Sequence, residues 1–247
     1  MSFRKRTLPD DDPDIGAAMN NLAGTYRRLN QLDKALKMQK DVLALYKRIL
    51  PEDDERIGWA MNNLANTYAE LNQLDKAVQL SEDTLDFRKR VLPSTHPDIA
   101  QTMYNLAITY QHLNQLDKAA RLYEDALDFQ KRILPSSHPH IADTMNNLGH
   151  TYRMLNQLGK AARLFEEALD LRKRILPSSH PYIGDTMYNV AVAYNQLGRI
   201  QKALALIGEA LAMYKRSFPP GHSEINDAEK MVAMYRSNVD ELCSMCA

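Results

Sequence analysis

Apolar and polar positions alternate along this chain with a helical period that breaks and restarts at fixed intervals. In the stretch from His96 to Ser137, Ile99, Met103, Leu106 and Tyr110 recur three and four residues apart and form one apolar stripe. Pro97 opens that segment, where its missing N–H costs nothing, and Asp98 suits the positive end of the helix dipole. The run Leu113-Asn114-Gln115-Leu116 reads as a turn. A second stripe follows through Leu116, Ala119, Leu122, Tyr123, Ala126, Leu127 and Ile133, and Pro135 with the Ser-Ser-His-Pro loop ends it. The pattern predicts two helices joined by a short turn.

The same pattern returns every 42 residues. Ile15, Ile57, Ile99, Ile141, Ile183 and Ile225 keep that step, and so do Met19, Met61, Met103, Met145 and Met187. Tyr26, Tyr68, Tyr110, Tyr152 and Tyr194 keep it as well. A helix pair cannot bury both of its stripes alone, so consecutive units must stack, and a solenoid results. Full repeats are expected at about 13–54, 55–96, 97–138, 139–180 and 181–222. A capping helix is expected over about 223–242, where Met231 replaces the repeated Asn. No linker interrupts the series, so residues 1–247 are expected to form one domain. Phe3 to Pro9 matches Phe87 to Pro93, so the chain is expected to start inside a second helix, as a fragment of a longer array or as a degenerate cap.

Composition adds limits. The 31 Lys and Arg balance 31 Asp and Glu, which gives no global argument for nucleic acid or an anionic membrane as partner. No apolar run nears the roughly 20 residues that span a bilayer, and the N-terminus lacks a signal-peptide stretch. A cytoplasmic protein is expected. The two cysteines, Cys243 and Cys246, exclude a disulfide framework and read as thiols of a tail.

The unit resembles a tetratricopeptide repeat. Met145, Leu148, Gly149 and Tyr152 match that family's large-Leu-small-Tyr pattern on the first helix, and Ala161, Phe165, Ala168 and Pro177 match its second. The eight residues beyond the usual 34 fall in one added turn of the second helix and in the loop after Pro177. The 42-residue form with its HP opening and NNLA core is similar to the repeats of kinesin light chains, and to sensor or scaffold regions of large signalling NTPases. The resemblance implies an all-α, right-handed superhelical solenoid of antiparallel helix pairs, with about five full repeats and terminal half-repeats. It also implies that the first helices line a concave groove for a protein or peptide.

Asn21, Asn63, Asn105, Asn147 and Asn189 fall at the groove position that the family uses. A carboxamide donates and accepts at once, so such a ladder can grip an extended backbone whatever its side chains. The alternative is that each Asn bonds its own neighbouring helix and fixes the repeat register. Around the ladder the variable positions place Arg28, Trp59 and Asn62 toward one end. Tyr104, Ile108, His112 and His150 take the middle, and Asp143, Asp185 and Tyr188 the far end. Aromatic residues dominate binding hot spots, so Trp59 and the tyrosines are candidate anchors. Unlike the basic troughs of kinesin light chains, this face is mixed in charge.

Each second helix ends in cations: Arg4-Lys5-Arg6, Lys47-Arg48, Arg88-Lys89-Arg90, Lys131-Arg132, Arg172-Lys173-Arg174 and Lys215-Arg216. They read as solvated edges paired with Asp86, Asp128 and Asp170, in preference to a phosphate-binding stripe. His96, His138, His180 and His222 recur at one loop position and read as residues that open the next helix, since no repeated Cys or His lies within metal-ligand spacing. The sequence contains no nucleotide-binding, metalloprotease or serine-hydrolase motif. A non-catalytic scaffold is expected, with no cofactor and no metal, without nucleic-acid or membrane partners. Self-association through uncovered repeat ends, with Ile15, Met19 and Leu22 exposed, is the rival.

Overall fold

The computed structural model describes residues 11–245. Among them are eleven helices and no strands. In chain order they are α1 (Pro13–Arg28), α2 (Leu32–Ile49), α3 (Glu55–Glu70), α4 (Leu74–Val91), α5 (Pro97–His112) and α6 (Leu116–Ile133). Then come α7 (Pro139–Met154), α8 (Leu158–Ile175), α9 (Pro181–Gln196), α10 (Ile200–Ser217) and α11 (Ser223–Met245). The chain clusters into two units, Met1–Phe129 and Gln130–Ala247. In the first, α1 packs on α2, α2 on α3, α3 on α4 and α4 on α5; in the second, each helix from α7 to α11 packs on the next. The triad Arg4-Lys5-Arg6 and both cysteines lie outside the residues whose side chains are described.

The first helices of the five repeats open and close with the same local geometry. A side chain just before it accepts the amide hydrogen of the second helical residue. Asp12 accepts from Asp14 at 2.8 Å and Asp54 from Arg56 at 2.9 Å. His96, His138 and His180 use Nδ1 at 3.2 Å, which makes them helix openers as the spacing predicts. At the other end, Asn30, Asn72, Asn114 and Asn156 take the left-handed conformation, with φ between 55° and 57°; in the fifth repeat Gly198 does so at 74°. That conformation lets the next residue's N–H reach back to the repeated Tyr: Gln115 to the Tyr110 carbonyl at 2.9 Å, Arg199 to Tyr194 at 2.8 Å. The reversal leaves the second helix lying back along the first.

The core sits at the junctions between repeats. In the first unit Val42 and Tyr46 of α2 meet Ile57, Ala60 and Met61 of α3 and Phe87 of α4. Each such large side chain stabilises by about 1.5–3 kcal/mol on burial. Space is matched across the helix pair. A Cβ on Gly16 would sit 2.3 Å from the Tyr46 ring, and one on Gly184 would sit 2.8 Å from Tyr214. Where the second helix instead carries Gln130 or Arg172, the first carries Ala100 or Ala142.

Two buried arginines correct the solvated-edge reading. Arg88 is 3% exposed and Arg172 8% exposed. Arg88 Nη1 donates to Thr102 Oγ1 at 2.7 Å and to the Asp98 carbonyl at 3.0 Å, and Nη2 pairs with the Asp98 carboxylate at 3.0 Å. Arg172 repeats this on α9, with Thr186 Oγ1 at 2.7 Å and the Tyr182 carbonyl at 3.3 Å. The first cation of both described triads therefore reaches inward, because the added turn of the second helix carries it against the next first helix. Lys89, Arg90, Lys173 and Arg174 remain exposed, as the sequence suggests.

Two substitutions test this local account by urea unfolding. Asn114→Ala is expected to lose about 1 kcal/mol, because alanine resists the left-handed conformation, while Asn114→Gly stays neutral or gains stability. Arg88→Met is expected to cost about 2 kcal/mol through its lost hydrogen bonds to α5. Substitution of the exposed Lys89 by Met should change stability by less than about 0.5 kcal/mol.

Candidate functional site

Within each unit the first helices present a face rich in carboxamides. In the first unit Asn63 Nδ2 donates to Asn20 Oδ1 at 3.1 Å, and Asn105 Nδ2 donates to Asn62 Oδ1 at 3.4 Å. Gln101 Nε2 donates to Asn105 Oδ1 at 2.9 Å. Each bond joins one repeat to the next or braces the ladder from within its helix. Behind them, Thr67 and Thr109 return their hydroxyl hydrogens to the Asn63 and Asn105 carbonyls. The ladder therefore has the geometry of a register clamp, but only part of its bonding capacity is used. Among the described residues Asn62 spends its oxygen and keeps both amide hydrogens. Its neighbour Asn63 spends one hydrogen and keeps its oxygen. Asn21 is exposed, Asn66 half-buried, and a Cβ on Gly24 would meet open space.

Trp59 stands on this face with 49% exposure. Its indole N–H donates to Asp98 Oδ2 at 2.8 Å, the same carboxylate that pairs with buried Arg88. The ring is thus fixed while much of its surface stays open. Arg28 is exposed, whereas Arg27 is held by Glu70 at 2.9 Å. Tyr104 is half-buried with its ring edge-on to Tyr123, centroids 5.7 Å apart, and His112 is exposed at the end of α5.

In the second unit Asn189 Nδ2 donates to Asn146 Oδ1 at 2.9 Å, while Asn147 is half-buried. The acidic pair of this unit is engaged internally. Asp143 pairs with Arg172 Nη2 at 2.7 Å, and Asp185 accepts from the Tyr214 hydroxyl at 2.9 Å. Burial pushes the Asp185 carboxyl up, and the Tyr214 bond opposes that rise. Burial likewise raises the Tyr188 hydroxyl. His150 packs edge-on to Phe165 with centroids 5.1 Å apart. The sequence reading missed Asp98 and Arg172 as the groups that hold face residues in place. The sequence signal for Arg172 was the Arg that opens each of the three basic triads, and Asp98 showed only as an acidic residue in the first turn of its helix.

Clefts also open between consecutive second helices. One of about 690 Å³ has Met61 and Phe87 at its floor and Lys47, Asp86 and Arg90 at its rim. The equivalent residues of the second unit, Met145, Leu171, Lys131, Asp170 and Arg174, line one of about 470 Å³. Among the described residues no group of acidic, histidine or cysteine side chains could hold a metal ion, and no helix is long and apolar enough to cross a membrane.

Burial against Phe165 pushes the His150 imidazole down to about 4, with the Arg153 charge adding to the effect. A histidine of an unfolded chain titrates near 6.5. Between those values the unfolded chain takes up a proton that the folded chain refuses, so stability is full above about pH 6.5 and falls toward pH 4. His150→Asn, which copies Asn66 of the second repeat, is expected to remove roughly 2 to 3 kcal/mol of that loss. Urea unfolding at pH 7.5, 5.5 and 4.5 reads the difference in slope.

Known proteins share this architecture. A protein of Podosopora anserina, with nearly identical TPR-like repeats assigned to a kinesin light chain, is 25% identical, with a TM-score of 0.75 over 83% of this chain and 98% of its own. BtubC (BKLC) of P. vanneervenii is 21% identical, with a TM-score of 0.75 over 85% and 84%. A STAND signal-transduction ATPase of Pyrococcus horikoshii with a tetratricopeptide repeat sensor is 16% identical; its TM-score is 0.74 over 93% of this chain and 34% of its own. A comparison with curated proteins found no match. The tetratricopeptide repeat pattern matches residues 14–90, 56–132, 98–174 and 140–216, an overlapping series that spans most of the chain. The chain belongs to the tetratricopeptide repeat family.

Proposed function

We propose that this chain is a binding scaffold, not a catalyst, and that it takes an extended segment of a partner protein on its first-helix face. The observation that carries the reading is the adjacent pair Asn62 and Asn63, where unspent amide hydrogens stand beside an unspent carbonyl oxygen. A peptide group offers one carbonyl and one N–H, so this pair complements main chain of any sequence. Specificity then falls to the side chains around it. Trp59 offers an open aromatic surface already held in place, so little side-chain entropy is lost when a partner covers it. Tetratricopeptide repeats are commonly protein-interaction modules, and the face has few free charges, which favours a partner read by backbone and apolar contacts. We place that partner in the cytoplasm.

The test is affinity capture with two baits. One is the native chain. The other carries Trp59→Ala, Asn21→Ala and Asn66→Ala, a set that leaves the inter-repeat bonds of the ladder intact, with folding checked by circular dichroism. Loss of a specific partner from the variant, by tenfold or more in Kd once that partner is purified, is the expected result. Equal capture by both baits would move the site to the second-helix clefts. Capture of further copies alone would favour self-association.

A further inference from the structure

The helix openings divide into two chemistries. In repeats one and two the acceptors are the carboxylates of Asp12 and Asp54. In repeats three to five they are the Nδ1 atoms of His96, His138 and His180. All five openers share the same extended backbone, with φ between −70° and −77°. An imidazole accepts only through a lone pair, and that lone pair is where its titrating proton binds. An imidazolium has two donors and no acceptor, so it cannot take the amide hydrogen. It also puts a positive charge at the positive end of the helix dipole. The carboxylate openers behave differently: the Arg56 side chain holds the Asp54 carboxyl below its ordinary range, so it stays an acceptor in mild acid.

We propose that the imidazole caps of α5, α7 and α9 form an acid-sensitive device: mild acid uncaps the first helices of repeats three to five together and leaves those of repeats one and two capped. The surrounding groups fit this. His96 shares its first turn with Asp98, but that carboxylate is already paired with Arg88 of α4 and with Trp59 of α3. His138 faces the His140 ring at 4.7 Å, a second imidazole that offers no counter-charge. His180 meets the Tyr182 ring at 4.9 Å; the Arg172 guanidinium of α8 lies over that ring at 5.4 Å, and Asp185 of α9 is near enough to feel the His180 charge. The second helices before the three caps end in the exposed cations Lys89-Arg90, Lys131-Arg132 and Lys173-Arg174. His222, fourth in the series, is excluded: its Nδ1 lies 2.5 Å from Glu224 Oε2, so a proton there makes an ion pair.

Two readouts test the device between pH 7.5 and 5.5. The first is the amide proton resonances of Asp98, His140 and Tyr182, followed by NMR with Arg56 as the internal control. These three are expected to move with an imidazole titration as their hydrogen bonds are lost, while Arg56 stays in place. The second is thermal unfolding of the wild type against His96→Asp/His138→Asp/His180→Asp. The fall in Tm on acidification is expected to be roughly 5 °C or more smaller in the variant. His150 is present in both proteins, so its own pH effect cancels. If the aspartate variant fails to fold, the matching asparagine variant, whose cap does not titrate, takes its place under the same criterion. Static amide resonances, or equal falls in Tm, would overturn the proposal.

Discussion

A pair of helices 16 and 18 residues long has two apolar stripes and only one internal partner to cover them. The rest of the structure follows from that shortage. Each unit must borrow the missing surface from its neighbours, which is why the core residues Val42, Tyr46, Ile57, Met61 and Phe87 meet at a junction between repeats. Hydrophobic burial is itself non-directional, so the register rests on side-chain fit and on directional bonds. Here these bonds come from the Asn pairs and from Arg88 and Arg172.

The junctions are variations on one plan. The second-helix position next to the following repeat holds Tyr46, Arg88, Gln130, Arg172 and Tyr214 in turn. The two tyrosines face Gly16 and Gly184, where no Cβ would fit, and the two arginines reach Thr102 and Thr186. At the Gln130 position the side-chain Oε1 is buried without a hydrogen-bond partner among the described residues. Candidate binding residues hang on these same junctions. Trp59 is held by the carboxylate that neutralises Arg88, and Asp143 and Asp185 answer to Arg172 and Tyr214. Residues that look like free groove chemistry are thus partly committed to holding the repeats together.

Much of the fold is legible in the sequence for a physical reason. A 42-residue step repeated five times averages out local noise, so the turn at Asn114, the helix start at Pro97 and the apolar stripe through Met103 each appear several times over. Helix openers could be read in the same way, since a residue that always precedes a helix must offer an acceptor to its first amides. Long side chains with two possible fates were harder. Arg88 and Lys89 are neighbours in a cationic run, yet one is buried and the other solvated. Helical phase alone cannot tell how far the next repeat leans over that turn. The carboxamides posed a related problem: a donor and acceptor in one group can serve the neighbour, the partner or both. Spacing fixes the face on which Asn63 lies but not how its hydrogens are shared.

The central claim is that the Asn ladder is a bond between repeats with capacity left over, and a double-mutant cycle addresses it directly. Asn20→Ala, Asn63→Ala and the double variant would be unfolded in urea beside the wild type. The account predicts a coupling of about 0.5–1 kcal/mol between the two sites, as for a real side-chain hydrogen bond between helices. Coupling within error of zero would mean that the two amides lie near each other without holding anything. The ladder would then have no part in setting the register.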